Sequence, residues 1–363
     1  MNRFAFIIHP IQVSDFARKF AFARHLPEAL LEGIFKYVPP MKVSHITGIK
    51  SPTGAEAEGW FIGCPLSTRQ MIELPEEFVL NKIIQGGKLG EKLGASIIGL
   101  GAFTAVVGDG GITVSKNLRA AVTTGNSLTV ASALEGIRKA AQMMEVSLED
   151  SNIAILGATG AIGAACARIL ARDFPSLTLV ARNMEKLKGL QAELQVGNKE
   201  IEVMTDSRQA LPKADVVVTV TSAIDTVIEP EDIKPGAIIC DVARPRDVSA
   251  KVAALRDDVL VFEGGVMAVP GEVEFNFNFG FPPRTSYACM AETMVLALEG
   301  RFESFSLGRE MAVEQIDEIG RLAKKHGFHL AGLRSFEKPL DDAQIERIKD
   351  NVRKKSREAI LRA

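Results

Sequence analysis

A chain of 363 residues with 47% hydrophobic and 24% charged residues can hold two ordinary globular domains, and a net charge of −2 argues against a general nucleic-acid binder. Its four cysteines (Cys64, Cys166, Cys240, Cys289) are far apart with no C-x-x-C pair. That pattern excludes a disulfide framework or zinc ribbon and points to a reducing, cytoplasmic setting. The charge-free stretch 94–108 is interrupted by glycines and falls short of a membrane span, which leaves room only for peripheral membrane contact.

In chain order, the apolar run 4–8 is too short for a signal-peptide core, and residues 3–8 read as a first strand. A helix rich in Phe and Ala is expected at 13–24, and strands at 43–48 and 58–62 around the turn Ser51-Pro52-Thr53-Gly54. Helical spacing returns at 76–93, and 96–107 reads as a buried apolar strand with glycines. Apolar residues at three and four spacing predict a helix at 127–144 that leads into the next domain.

The most informative stretch follows. An apolar strand runs into Gly157-Ala158-Thr159-Gly160-Ala161-Ile162-Gly163, and an alanine-rich helical pattern begins at once. This is how a backbone approaches a pyrophosphate and aims a helix N-terminus at it. A second apolar run, 177–181, ends in Arg182-Asn183, where a bare ribose hydroxyl would call for an acid and a phosphate calls for a cation. The expected cofactor is therefore NADPH. Strands are expected near 152–156, 177–181, 201–204, 215–220, 237–241 and 259–262, with helices near 161–172, 184–195 and 231–233 or 249–254. The alternation implies a parallel, doubly wound sheet. Thr219, Val220 and Thr221, at the end of a fourth strand, and Gly264 and Gly265, where the alternation stops, join the cofactor-site candidates.

A loop at 270–283 holds four phenylalanines and leads to helices around 288–299, 312–326 and 341–361. The last carries Arg353, Lys354, Lys355, Arg357 and Arg362 against Glu358; it reads as a solvated face or, more sharply, as a docking face for an acidic partner. His326-Gly327-Phe328-His329 comes without nearby acids or cysteines, so no metal site is expected. The fold class is thus α/β: a central Rossmann-type doubly wound parallel sheet at 146–270, an N-terminal α/β substrate domain at 1–145, and C-terminal helices at 271–363 that carry Cys289 and pack back on the substrate domain.

Two cysteines compete for a chemical role. Cys289 follows Pro282-Pro283-Arg284-Thr285-Ser286-Tyr287-Ala288, a helix start; with Ser286 as N-cap it would lie in the first turn. Thiolates at such places have pKa values of about 3.5 to 7.5, against about 8.5 when free. Cys64, in Phe61-Ile62-Gly63-Cys64-Pro65, reads as an exposed turn and is a rival, whereas Cys166 and Cys240 look structural. Sequence physics leaves both candidates open.

Gly99-Leu100-Gly101-Ala102-Phe103-Thr104, Thr123-Thr124-Gly125-Asn126-Ser127-Leu128-Thr129, the glycine turn, Ala181-Arg182-Asn183, Gly264-Gly265-Val266 and Tyr287-Ala288-Cys289-Met290-Ala291-Glu292 through Glu299-Gly300 together resemble the long-chain acyl-(acyl carrier protein) reductases known best from cyanobacteria. The likeness covers most of 1–330. It implies that Cys289 is acylated by a thioester of acyl carrier protein or CoA, and that NADPH then reduces the acyl group to an aldehyde. Tyr287, Ser286 and Lys116 are candidate proton donors, and Phe103, Thr104, Thr124 and Asn126 candidate substrate contacts. The stretches 94–108 and 275–281 are candidates to line an acyl slot. The basic extension past 330 and the loop Phe275-Asn276-Phe277-Asn278-Phe279-Gly280-Phe281 depart from the cyanobacterial pattern and bear on chain length and carrier.

The segment 123–127 also resembles one in shikimate dehydrogenases that contacts substrate beside the nicotinamide. This supports a second reading: a non-covalent NADP-dependent dehydrogenase of a small polar substrate, with Lys116 and Asp109 as acid/base pair. A third is a redox sensor that binds dinucleotide without turning over a thioester. Oligomeric state stays open.

Overall fold

The computed structural model describes every residue except 21, 22, 24, 198, 224, 337 and 363. Two compact units emerge, Met1–Leu128 with Met267–Ala331, and Thr129–Val266 with Gly332–Ala363. The chain crosses between them inside the helix Asn126–Met144, and the expected C-terminal segment 271–363 is divided at 331.

The first unit contributes strands β1 (Asn2–Ile8), β2 (Met41–Lys50), β3 (Glu56–Gly63), β4 (Ile97–Leu100) and β5 (Ala121–Thr123). The second contributes β6 (Ile153–Leu156), β7 (Ser176–Val180), β8 (Glu200–Met204), β9 (Val216–Thr219), β10 (Ile238–Asp241) and β11 (Leu260–Glu263). Then come β12 (Val266–Ala268), β13 (Gly271–Glu274) and β14 (Thr285–Tyr287).

In the second unit the sheet order is β8-β7-β6-β9-β10-β11, with every pair parallel. Numbered from its own first strand this is 3-2-1-4-5-6, the doubly wound dinucleotide-binding order. Ile153–Leu156 and Val216–Thr219 are buried throughout, as continuous apolar runs with both faces covered must be. Helices follow β6, β7 and β10 at Ala161–Asp173, Met184–Leu194 and Ala250–Leu255, and Pro230–Asp232 forms a 3₁₀ turn.

The last helix, Asp342–Arg362, pairs its cations within this unit. Lys349 Nζ is 2.5 Å from Glu145 Oε1, Arg353 is 3.4 Å from the same carboxylate, and Lys355 bridges Asp257 (2.9 Å) and Asp258 (3.3 Å). Arg353 and Lys355 thus pair within their own domain while their side chains stay 55% and 43% exposed. The side chain of Arg362 lies outside the described residues.

In the first unit the order is β13-β2-β3-β1-β4-β5; β3, β1, β4 and β5 run parallel, and β2 pairs antiparallel with both β3 and β13. The C-terminal ends of the four parallel strands share one edge, and Cys64, His9, Gly101 and Thr124 follow those ends directly. The helix Ala288–Glu299, buried on nearly every side, packs on β1 and β4 so closely that a Cβ on Gly99 would lie 2.1 Å from Thr293 Oγ1.

Two expectations fail here. The strand at 96–107 stops at Leu100, because Gly101 turns under the Phe6 ring, where a Cβ would lie 2.6 Å away, and Ala102–Ala105 becomes a 3₁₀ turn. Instead of a helix at 13–24 there is a 3₁₀ segment Val13–Arg18; residues 21, 22 and 24 lie outside the described residues. Asp15 accepts hydrogen bonds from Ile11 N (3.1 Å) and Gln12 N (3.0 Å), tightening the turn, and Phe16 stacks on Phe35 at 4.0 Å in a local core.

Candidate functional site

The glycine turn divides its labour by position. Gly157 has φ +82, and a Cβ there would fall 2.7 Å from the Val220 carbonyl oxygen, so only glycine fits against β9. A Cβ on Gly163 would lie 2.2 Å from the Gly157 carbonyl, which lets the helix Ala161–Asp173 start hard against the turn. Gly160 differs: it is exposed, and its added Cβ would meet only the Gly157 oxygen, at 3.3 Å. As N-cap it supplies no capping side chain. The helix N-terminus, with Ala161 and Ile162 half-buried beside half-buried Thr159 and buried Ala158, thus faces open space. A pyrophosphate fits such a cradle.

The neighbouring candidates separate. Arg182 is exposed after β7, with no ion-pair partner among the described residues. Asn183 is a helix N-cap, accepting from Lys186 N at 2.9 Å. Thr219 and Thr221 give their hydroxyls to Asp247, each at 2.5 Å, and Thr221 N adds a bond of 2.9 Å. Val220 N donates to Leu156 O (3.0 Å), and buried Gly264, beside buried Gly265, donates to Asp241 O (2.9 Å). Burial pushes the Asp241 carboxyl up to about 6; Asp247 adds to this and Arg244 opposes it.

In the first unit the cysteine rivalry resolves. Cys64 is fully buried and its thiol is pushed up to about 12 by desolvation, which removes it as a nucleophile. Cys166 and Cys240 are buried likewise, both raised by desolvation. Cys289 alone is half-buried. It is the second residue of the twelve-residue helix Ala288–Glu299, whose N-cap is Tyr287 rather than Ser286. Ser286 belongs to β14, which pairs beside β12; its hydroxyl is buried and has no partner among the described residues.

Gly125 lies directly on Cys289. Its φ is +75, and a Cβ there would fall 2.3 Å from Cys289 Cα and 2.4 Å from Cys289 Cβ. The helix Asn126–Met144 begins at the next residue, so two helix starts lie together beside Cys289, and the partial positive charge at the start of its own helix favours an anion. Asn126 is half-buried, and its carboxamide makes no hydrogen bond to the described residues.

Beneath Cys289 sits a group the sequence reading left unassigned. Glu292 is fully buried and held above the ordinary carboxylate range by desolvation, against the pull of bonds from Thr123, Leu128, Ser306 and Gly125. Its Oε1 accepts from Thr123 Oγ1 and from Ser306 Oγ (2.7 Å), and Oε2 accepts from Leu128 N (2.8 Å). Thr124 Oγ1 donates to Ser306 O. The available signal was a carboxylate inside the mostly apolar run 288–298, since such a group is buried only when partnered.

The remaining candidates lie apart from this cluster in function. Thr104 Oγ1 bonds Gly101 O (2.7 Å) in a buried turn. Phe103 N donates to His9 Nε2 (3.1 Å), while His9 Nδ1 lies 3.0 Å from Pro10 O; this fixes the Nδ1–H tautomer, and burial drives the imidazole down to about 4. Lys116 is exposed. Burial acts to raise Asp109, yet the bonds from Thr113 N (2.9 Å) and Oγ1 (2.7 Å) prevail and hold it low. Buried His326 engages Ser51 Oγ (2.9 Å) and Glu299 Oε2 (2.7 Å), so both its nitrogens are committed.

Among known proteins, residues 138–263 match the family model for shikimate / quinate 5-dehydrogenase. The chain is 33% identical over 320 residues to the aminotransferase PigE of a Serratia species, over 86% of this chain and 36% of that protein, and so spans about a third of that relative's length. It is 28% identical over 332 residues to the long-chain acyl-[acyl-carrier-protein] reductase of Synechococcus elongatus, over 87% of this chain and 94% of that one. L-tryptophan dehydrogenase from Nostoc punctiforme is similar at 13% identity with a TM-score of 0.43, over 97% of this chain and 88% of that one.

Proposed function

We propose that the protein is an oxidoreductase that converts a fatty acyl thioester to an aldehyde by way of an acyl group held on Cys289. The observation that carries this reading is Cys289 itself: half-buried, in the first turn of a long helix, and lying on the residue that precedes a second helix start. The likeness to the Synechococcus reductase, over nearly the full length of both chains, supports it.

The Cys289 thiolate would attack the thioester carbonyl and expel the carrier thiol, that of an acyl carrier protein or CoA. Exchange of one thioester for another is nearly isoenergetic, so the barrier lies in the charge gathered on oxygen. Backbone N–H groups at the start of the Cys289 helix and the Asn126 carboxamide are the donors at hand for that charge. Ser286, with its unpartnered buried hydroxyl, and Tyr287 are the nearest candidates in sequence to supply a proton.

The Gly157–Gly163 turn would hold the pyrophosphate of NADPH, and Arg182 its 2′-phosphate. When bound, that cofactor supplies a hydride. Thr219 and Thr221 act through Asp247 to shape the end of β9.

The dehydrogenase family match over 138–263 favours a second reading, a non-covalent dehydrogenase of a small polar substrate. Its proposed base, Asp109, is already occupied by Thr113 and held low, which suits proton abstraction poorly. Aldehyde formation from palmitoyl-CoA and NADPH by the wild type and by Cys289→Ala separates the two. The covalent reading expects product from the wild type and none from the variant, with dinucleotide binding equal in both. Full activity in the variant would remove it.

A further inference from the structure

The helix Ala288–Glu299 buries one carboxylate, Glu292, one turn behind Cys289, and the reaction above gives it no part. Among the described residues its hydrogen bonds come from residues 123–128 and from Ser306, none of them charged. Thr123 Oγ1 and Leu128 N donate to it from the two ends of residues 123–128. Ser306 ties the same stretch from the other side. Its hydroxyl donates to Glu292 and lies 2.7 Å from Ser127 Oγ, Ser127 N donates to it (3.3 Å), and its carbonyl accepts from Thr124. Gly125 N in turn donates to Thr123 Oγ1 at 3.2 Å. Gly125 is the residue of this stretch that rests on Cys289.

From this arrangement we infer that Glu292 is a positioning residue for Cys289: it clamps residues 123–128 onto the start of the nucleophile helix, so that the thiol and the Asn126 side chain meet the same acyl carbonyl. The inference deepens the reading of Cys289 as acyl acceptor and rests on it. A clamp of this kind explains a fully buried acid at the middle of a helix, because an apolar residue would leave the Leu128 N–H and two hydroxyls without their acceptor.

The test compares wild type, Glu292→Gln and Thr123→Val in three measurements on the full chain: acylation of Cys289 by palmitoyl-CoA without reductant, alkylation of Cys289 by iodoacetamide, and amide hydrogen exchange over 123–128. Alkylation needs the thiol but not its placement against a thioester carbonyl. Glu292→Gln is expected to acylate about a hundredfold more slowly at saturating thioester, as for a reacting group misplaced by about an ångström. Its half-saturating thioester concentration should hardly move, its alkylation rate should change by no more than about threefold, and exchange over 123–128 should speed up. Acylation and exchange both at wild-type rates would overturn the inference, as would exchange that stays unchanged in a wild type that cannot be acylated. Faster exchange in Glu292→Gln, beside a wild type that takes no acyl group, keeps the clamp and removes the acyl reading instead. Should Glu292→Gln fail to fold, Thr123→Val removes one hydroxyl and leaves the carboxylate in place. An acylation loss of about tenfold is then expected, and none would overturn the clamp.

Discussion

The glycine turn of the nucleotide unit and the cysteine cluster of the other unit are built by different rules. Gly157, Gly160 and Gly163 lie within seven consecutive residues, and their roles follow from a strand, a turn and a helix in immediate succession. The cysteine cluster draws on 123–128, 289–292 and 306, which only the tertiary fold brings together. The first is a local device that tolerates no side chain at two of its positions. The second is a hydrogen-bonded clamp around a buried acid. The contrast separates the two halves of the proposed activity: cofactor binding should fail when the turn is filled, and thiol chemistry when the clamp is opened, each without the other.

Filling glycines should break the comparison most sharply. Gly125→Ala puts a methyl group 2.3 Å from Cys289 Cα at a residue with φ +75, so acylation should fall at least about a hundredfold and stability by about 2 kcal/mol or more. Dinucleotide affinity, read by fluorescence titration, should be kept. Gly163→Ala puts a methyl group 2.2 Å from the Gly157 carbonyl; dinucleotide affinity should fall at least about tenfold while acylation of Cys289 proceeds. If either variant loses both properties equally, the division between the units is wrong.

A smaller effect is expected at Arg182. Its removal as Arg182→Ala should cost NADPH about 1.5 to 3 kcal/mol of binding and leave NADH nearly unchanged. Equal losses for both cofactors would show that this cation does not read the phosphate.

A further effect concerns pH, and the two units should respond in opposite directions. His9 in the first unit is driven down to about 4 from 6.5, so its contribution is complete above 6.5 and is lost as pH falls toward 4. Asp241 in the second is driven up to about 6 from 3.8, so its contribution is complete below 3.8 and is lost as pH rises through 6. Each is worth about 3 kcal/mol at most. Hydrogen exchange from pH 4 to 6.5, with His9→Asn and Asp241→Asn as references, should show His9 strengthening its unit with rising pH and Asp241 weakening its own. A common direction for both would contradict the assignments.

How far the sequence could be read follows the same divide. The six parallel strands of the nucleotide unit were legible because each is a short apolar run punctuated by turn residues, and the glycine spacing located the cofactor turn. Asp247 was not legible: nothing in the pattern around Arg244-Pro245-Arg246 says that its carboxylate will collect Thr219 and Thr221, 28 and 26 residues away. Glu292 lay inside the motif that pointed to Cys289, yet its role depends on Thr123 and Leu128, more than 160 residues distant. The choice between Cys64 and Cys289 was likewise a question of burial, and burial at the end of β3 is decided by what packs over it. In the segment 96–107, apolar composition suggested a longer strand, but Gly101 has to pass beneath Phe6 and the chain leaves the sheet there.

The most direct test of the central claim is intact-protein mass spectrometry after incubation with palmitoyl-CoA in the absence of NADPH, followed by peptide mapping. A single palmitoyl adduct on the peptide containing Cys289, released by hydroxylamine and absent from Cys289→Ala, is the predicted result. An unmodified Cys289 in a protein that nevertheless makes aldehyde once NADPH is added, or an adduct on another residue, would contradict it.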